Sequence, residues 1–152
     1  MKFVLVALGM AASLGGCAYR DPYQSLLQQS LSQVEGYAAS VKAALVAQTP
    51  QQVMERGKEA IRNSLKDPSS AQFRNVRLME YLDGVVICGD VNAKNSFGGY
   101  IGFTNFVSGT SSGFMRSSDA DKYAEITIVI NTGLDRACSG KPYSPSNTGM
   151  ST

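Results

Sequence analysis

The hydrophobic pattern changes period once, at Asp67-Pro68-Ser69-Ser70, and that change restricts the fold more than any other feature of the chain. Before it, Leu27, Leu31, Val34, Ala38, Val41 and Leu45 follow one another at intervals of 4, 3, 4, 3 and 4 residues. Side chains so spaced share one face of an α-helix, which predicts a helix over 22–47. Asp21-Pro22 supplies its start, a capping carboxylate followed by a proline whose missing N–H would have had no partner there. The stripe either docks on its own domain or forms a coiled-coil seam; Gly36 weakens its middle by about 1 kcal/mol relative to alanine. Thr49-Pro50 repeats the start signal and predicts a second helix over 51–66. Val53, Met54, Gly57, Ala60, Ile61 and Leu65 form its apolar face. Arg56, Lys58 and Arg62 lie opposite, offset by Glu55 and Glu59 at helical spacing, as on a solvated surface. Pro68 ends this helix, because the residue before a proline avoids the helical region.

Beyond Pro68 the pattern is that of strands, expected at 72–81, 85–92, 98–107 and 123–131. Asp83-Gly84 is a hairpin signal between the first two. Val85 to Val91 is nearly continuous in apolar residues, and Tyr123 to Asn131 alternates most regularly. Ser108 to Asp121 is rich in glycine and serine and reads as a long loop. Residues 139–152 contain Pro142, Pro145 and Gly149 with little apolar content, and are expected to be a disordered tail. Helices first and strands after, joined by short connections, predict a single α+β domain over 26–138. Its N-terminal helix or helices would pack on one face of a four-stranded, mainly antiparallel sheet.

The N-terminus limits where such a domain works. Lys2 precedes an apolar run, Phe3 to Ala12, of about ten residues; as a helix it would reach roughly 15 Å, half a bilayer core. It has the proportions of a secretory signal and is too short to be a span. The following Leu14-Gly15-Gly16-Cys17 resembles the lipobox of bacterial lipoproteins. That resemblance implies a signal peptide over 1–16, Cys17 as the acylated first mature residue, and a tether over 17–25. The alternative is an ordinary secretory signal with a chance cysteine at the cleavage point. Ala18, rather than an aspartate, after the cysteine is similar to lipoproteins forwarded to the outer membrane, and implies a lipid-anchored protein facing the periplasm. Losing Lys2 leaves 13 basic against 12 acidic residues. No polybasic segment flanks Cys17, so attachment rests on acyl chains. No basic stripe suits nucleic acid either.

With Cys17 committed to lipid and the chain exported, Cys88 and Cys138 remain as an even pair in an oxidising compartment, where a disulfide is the simplest outcome. Closing that loop is worth about 4 kcal/mol in the chain-entropy model. Two buried free thiols are the alternative. The sequence has no histidine and offers no metal-ligand set, and no cofactor is implied.

Two segments are more specific than a small sheet protein requires: Lys66-Asp67-Pro68-Ser69-Ser70-Ala71-Gln72-Phe73, and Cys88-Gly89-Asp90-Val91-Asn92-Ala93-Lys94-Asn95-Ser96-Phe97-Gly98-Gly99-Tyr100-Ile101-Gly102-Phe103. Together they resemble the hallmark segments of a family of short, uncharacterised bacterial and prophage-encoded lipoproteins, over roughly residues 55–107. The resemblance implies a domain and transfers no catalytic residue. Read chemically, the first segment is a helix-ending turn, with Asp67 and the serine hydroxyls satisfying free backbone groups. The second is a strand, a polar turn and a strand, with Phe97, Tyr100 and Phe103 expected to pack. Its functional reading is a binding surface made of Asn92, Lys94, Asn95, Ser96 and Tyr100, the mixture that meets glycan or peptide backbone.

Catalysis has little support. Without histidine there is no Ser-His or Cys-His pair. Lys94 with Ser96 is an ordinary turn combination. Asp119, Asp121 and Glu125 sit where acids are common, at a loop-to-strand junction. Three functions stay open: a non-catalytic envelope lipoprotein that binds an envelope protein or cell-wall polymer, an enzyme acting on cell-wall material through Asp90, Asp119 or Asp121, and a phage-derived surface or immunity protein.

Overall fold

The computed structural model describes residues 21–118 and 124–145. Helix α1 spans Pro22–Leu45 and helix α2 Pro50–Arg62. A 3-10 turn, Pro68–Ser70, leads into the sheet of β1 (Gln72–Tyr81), β2 (Gly84–Asn92), β3 (Thr104–Ser108) and β4 (Gly113–Met115), and helix α3 follows at Ala124–Cys138. The strands pair in sequence order and all pairs are antiparallel. The protein is therefore α+β with a four-stranded antiparallel sheet.

Both helix starts use the caps their sequences encode. Asp21 accepts from the Tyr23 N–H at 3.0 Å. Thr49 and Gln52 form a reciprocal box in which each side chain accepts from the other's backbone N–H. Because α1 begins at Pro22, residues 22–25 are helix rather than tether, and both helices end sooner than expected, at Leu45 and Arg62. The stripe of α1 docks on its own domain: Val34, Ala38 and Val41 are buried. The helix lies against the end of the sheet where the β1–β2 hairpin meets the β3–β4 turn. There the Lys42 ammonium donates to the Asp83 carbonyl at 2.7 Å, and the Thr110 N–H to Ser40 Oγ at 3.3 Å.

Both sheet faces are covered. On one, Val53 and Ile61 of α2 pack with Leu78, Val85, Ile87, Val91 and Phe106. On the other, Leu134 and Ala137 of α3 pack with Met79, Val86, Cys88 and Val107. β2 is consequently buried on both sides, which accounts for its unbroken apolar run. Gly57 lets α2 approach closely: a β-carbon there would stand 2.8 Å from Ser108 Oγ.

Three expectations fail here. Residues 124–131, read as the last strand, are the first half of α3. The alternation over 123–131 is too short a window. Continued to Cys138, Val129, Gly133 and Ala137 recur at helical spacing and are buried, while Ile126 and Ile128 stay exposed. Burial of a helical stripe overrides the β preference of the isoleucines. The strand expected over 98–107 begins only at Thr104, because Gly98 and Gly102 take positive φ, and the fourth strand comes from the glycine-rich segment at Gly113–Met115. Residues 139–145, read as the start of a disordered tail, run along the outer edge of β1. The Glu80 N–H donates to the Lys141 carbonyl at 2.8 Å, and the Tyr143 N–H to the Leu78 carbonyl at 3.0 Å. Residues 146–152, the signal peptide expected over 1–16, and Cys17 lie outside the described residues.

Candidate functional site

The connection between β2 and β3, residues 93–103, projects from the end of the sheet opposite the β1–β2 hairpin, and its shape is set by two asparagines. The Asn95 carboxamide oxygen accepts from the N–H groups of Phe97 and Gly99, at 3.0 and 3.1 Å. Its backbone closes the same turn, the Asn95 N–H donating to the Gly99 carbonyl at 2.9 Å and the Gly98 N–H to the Asn95 carbonyl at 3.0 Å. Gly98, with φ of +80°, occupies the left-handed position such a turn needs. Asn92 holds the return: its carbonyl oxygen accepts from the Gly102 N–H at 3.1 Å, and its amide donates to Gln72 Oε1 at 3.3 Å. A short antiparallel bridge pairs Lys94 with Tyr100 across the neck.

The base of the loop rests on the other distinctive segment. The Lys94 N–H donates to Ser70 Oγ at 2.9 Å, and that hydroxyl donates to the Asp67 carbonyl at 2.8 Å. Ser69 Oγ, 2.6 Å from Asp67 Oδ1, donates to the carboxylate and holds it below its usual range, with the Lys94 charge acting in the same direction. The two segments, separated in sequence, thus form one construction, in which the turn after α2 seats the β2–β3 loop.

That construction displays apolar surface. Phe97 is 97 % exposed, Ile101 71 %, Tyr100 47 % and Phe103 39 %. Exposure here corrects the expectation that Phe97, Tyr100 and Phe103 pack inward. Two cations line the patch: the Lys94 ammonium is 5.6 Å from the Tyr100 ring centre, and the Arg74 guanidinium lies 3.9 Å over Phe103. The five residues read as a binding surface, Asn92, Lys94, Asn95, Ser96 and Tyr100, are all brought together here. Their roles divide, however. Asn92 and Asn95 spend their hydrogen bonds shaping the loop and tying it to Gln72 on β1, while Ser96 and Tyr100 are exposed with Phe97, Ile101 and Phe103 and Lys94 is half-buried beside Tyr100. A run of aromatic residues among turn-forming asparagines and glycines, with no partner strand for Phe97, was the signal for this exposed patch.

Beside the loop, Asp90 anchors a polar cluster. Its carboxylate accepts from Arg74 Nε at 3.1 Å, Asn75 Nδ2 at 2.9 Å and Asn105 Nδ2 at 2.7 Å. Asn75 reaches it from a bulge between Arg74 and Arg77, with φ of +53°. Partial burial pushes the Asp90 carboxyl upward, but the hydrogen bonds from Asn75, Arg74 and Asn105 outweigh it and hold the group below the carboxylate range. An acid so depressed and so fully engaged is poorly placed to carry protons at neutral pH. Arg116 extends the cluster, donating to Asn105 Oδ1 at 3.2 Å and pairing with Asp135. Asp119 and Asp121 lie outside the described residues, and Glu125 is exposed in the first turn of α3. Among the described residues no three His, Cys, Asp or Glu side chains group as metal ligands.

Cys88 and Cys138 form a disulfide with Cα atoms 5.8 Å apart, tying the end of α3 to the middle of β2. A concavity of about 520 Å³ lies at the hairpin end against Leu45, Val46, Leu82 and Tyr143. Lys42, on its rim, is engaged with the Asp83 carbonyl. No described helix is long and apolar enough to cross a membrane. The chain matches no protein-family model, and it shows no significant similarity to characterised proteins or to solved structures.

Proposed function

We propose that this protein is a lipid-anchored, non-catalytic binding factor of the bacterial cell envelope, facing the periplasm, with residues 93–103 as its working surface. The observation that carries the reading is Phe97, almost fully exposed at the tip of a loop whose backbone is held in place by Asn92, Asn95 and Ser70. Exposed aromatic surface costs solubility and is retained where something covers it in use. A loop already ordered before binding loses little entropy on contact, so its contacts convert efficiently into affinity. The anchor is supported by the resemblance of Leu14-Gly15-Gly16-Cys17 to a lipobox, and the outer-membrane address by Ala18.

Two experiments test this reading. Metabolically supplied palmitate should label the wild-type protein and not Cys17→Ser; no label on the wild type would remove the anchor. A photo-crosslinking phenylalanine at position 97, activated in intact cells, should capture an envelope component (protein, polymer or lipid) well above the level seen at Leu82, which is exposed and apolar at the opposite end of the sheet. Equal capture at the two positions would end the proposal for the loop.

A further inference from the structure

Resting on the reading of residues 93–103 as the working surface, we infer that this loop inserts into the interfacial region of an anionic lipid bilayer, giving the domain a membrane contact separate from Cys17. The argument begins with what the loop has left to offer. Both side-chain ends of Asn92, the Asn95 carbonyl oxygen, and the backbone N–H groups of Lys94, Asn95, Phe97, Gly98, Gly99 and Gly102 are engaged in holding its shape. A glycan or an extended peptide is recognised by directional hydrogen bonds, and with the asparagine carbonyl oxygens and the Asn92 amide committed to the loop these would fall chiefly to Lys94, Ser96 and Tyr100. The larger part of what the tip displays is ring and aliphatic surface, Phe97, Tyr100, Ile101 and Phe103. Convex apolar surface that envelops nothing suits a medium that deforms around it. Aromatic residues suit the depth where acyl chains meet headgroups.

Charge selects the kind of surface. From Val91 to Ser118 the sequence contains Lys94 and Arg116 and no aspartate or glutamate. Lys94 lies beside Tyr100, and Arg74 lies over Phe103 from the neighbouring strand. Arg74 is paired with Asp90, so its charge is largely offset, and Lys94 is the cation that stands at headgroup level when the tip is immersed, worth about a fivefold gain on an anionic leaflet. The Asp67 carboxylate, on which the Lys94 charge acts at the base of the loop, is the opposing charge there, and residues 91–118 add no other acid.

The full chain carrying Cys17→Ser serves as the common background, so that any contribution from the N-terminal residues cancels in every ratio. Its partition is measured onto phosphatidylcholine vesicles with and without phosphatidylglycerol, together with amide hydrogen exchange of 95–103. Partition should be stronger on the anionic vesicles, and exchange across 95–103 should slow there and nowhere else on the sheet. Phe97→Ser should weaken partition about thirtyfold, as expected for one aromatic side chain withdrawn from an apolar medium. Lys94→Gln should weaken it about fivefold on anionic vesicles only. Both side chains are outside the core, and an unchanged circular dichroism spectrum and unfolding midpoint in each variant verify folding. Partition that ignores both substitutions, or exchange unchanged on both vesicle types, overturns the lipid contact. A discrete protein adduct from position 97 in cells, with no lipid adduct, would overturn it too while leaving the loop as the binding surface. Capture equal to that at Leu82 would remove both.

Discussion

Phe97 and Phe106 are separated by one loop and half a strand, yet one is 97 % exposed and the other is fully buried. Phe106 sits on β3 under α2, with its ring edge-on to Phe73 at 5.8 Å between centroids. Phe97 stands at the tip of a turn that asparagine and glycine have bent away from the sheet. The hairpin end of the molecule is braced by α1, whose Lys42 donates to the Asp83 carbonyl, and by residues 139–145 along β1. The loop end is closed by nothing among the described residues, although it is tied down by more side-chain hydrogen bonds. Stability and display are therefore built at opposite ends of the same sheet, by different means: apolar packing at one, polar scaffolding at the other.

The sharpest way to test that division is to truncate its two phenylalanines. Phe106→Ala should cost about 4 kcal/mol in chemical denaturation, since it opens a cavity in a covered core. Phe97→Ser should change stability by less than about 0.5 kcal/mol. Comparable losses would mean that the loop is part of the core. The disulfide comes next: Cys88→Ser with Cys138→Ser should cost about 3 kcal/mol and loosen α3 first, visible as faster amide exchange at Leu134 to Ala137.

Asp90 should make the loop end sensitive to acid. Its folded-state carboxyl is held below the unfolded value, so its contribution is present above about pH 4, the unfolded carboxylate range. It is lost as pH falls through the lower folded value. Asp90→Asn should therefore flatten that part of the acid limb of the stability curve while lowering the neutral-pH plateau. An acid limb identical in the variant would place the proton uptake elsewhere. A modest effect belongs to Ser70→Ala, which removes the hydroxyl that receives the Lys94 N–H; about 1 kcal/mol is expected, with the loss confined to exchange protection in 93–103. A global loss instead would show that the loop and the core unfold together.

How much of this was legible in the chain varied with the range of the forces involved. Asp21-Pro22, Thr49-Pro50, Asp67-Pro68 and Asp83-Gly84 each encode their structure within a few residues, through a cap or a turn that needs no distant partner. The 72–81 and 84–92 hairpin was readable for the same reason. Residues 124–131 were not: alternating isoleucine and threonine favours a strand locally, and only the stripe continued through Gly133 and Ala137 favours a helix. The site was legible in its residues and not in its orientation. Lys94, Asn95 and Tyr100 could be singled out, but the burial of a phenylalanine is decided by what stands opposite it, and position 97 has nothing opposite.

The two helix starts and the first hairpin are written in the sequence alone, because they depend on local geometry; the α+β class and the pairing of Cys88 with Cys138 were its expected outcomes, the pairing only through the reading of Cys17 as lipidated, with two free thiols as the alternative. Only the tertiary structure decided that α3 covers the second face of the sheet, that residues 139–145 pair with β1, and that Ser70 seats the loop bearing Phe97. Each of those outcomes is a competition for buried surface or for a backbone hydrogen bond between segments far apart in the chain. Such competitions are settled only when all the competitors are in place.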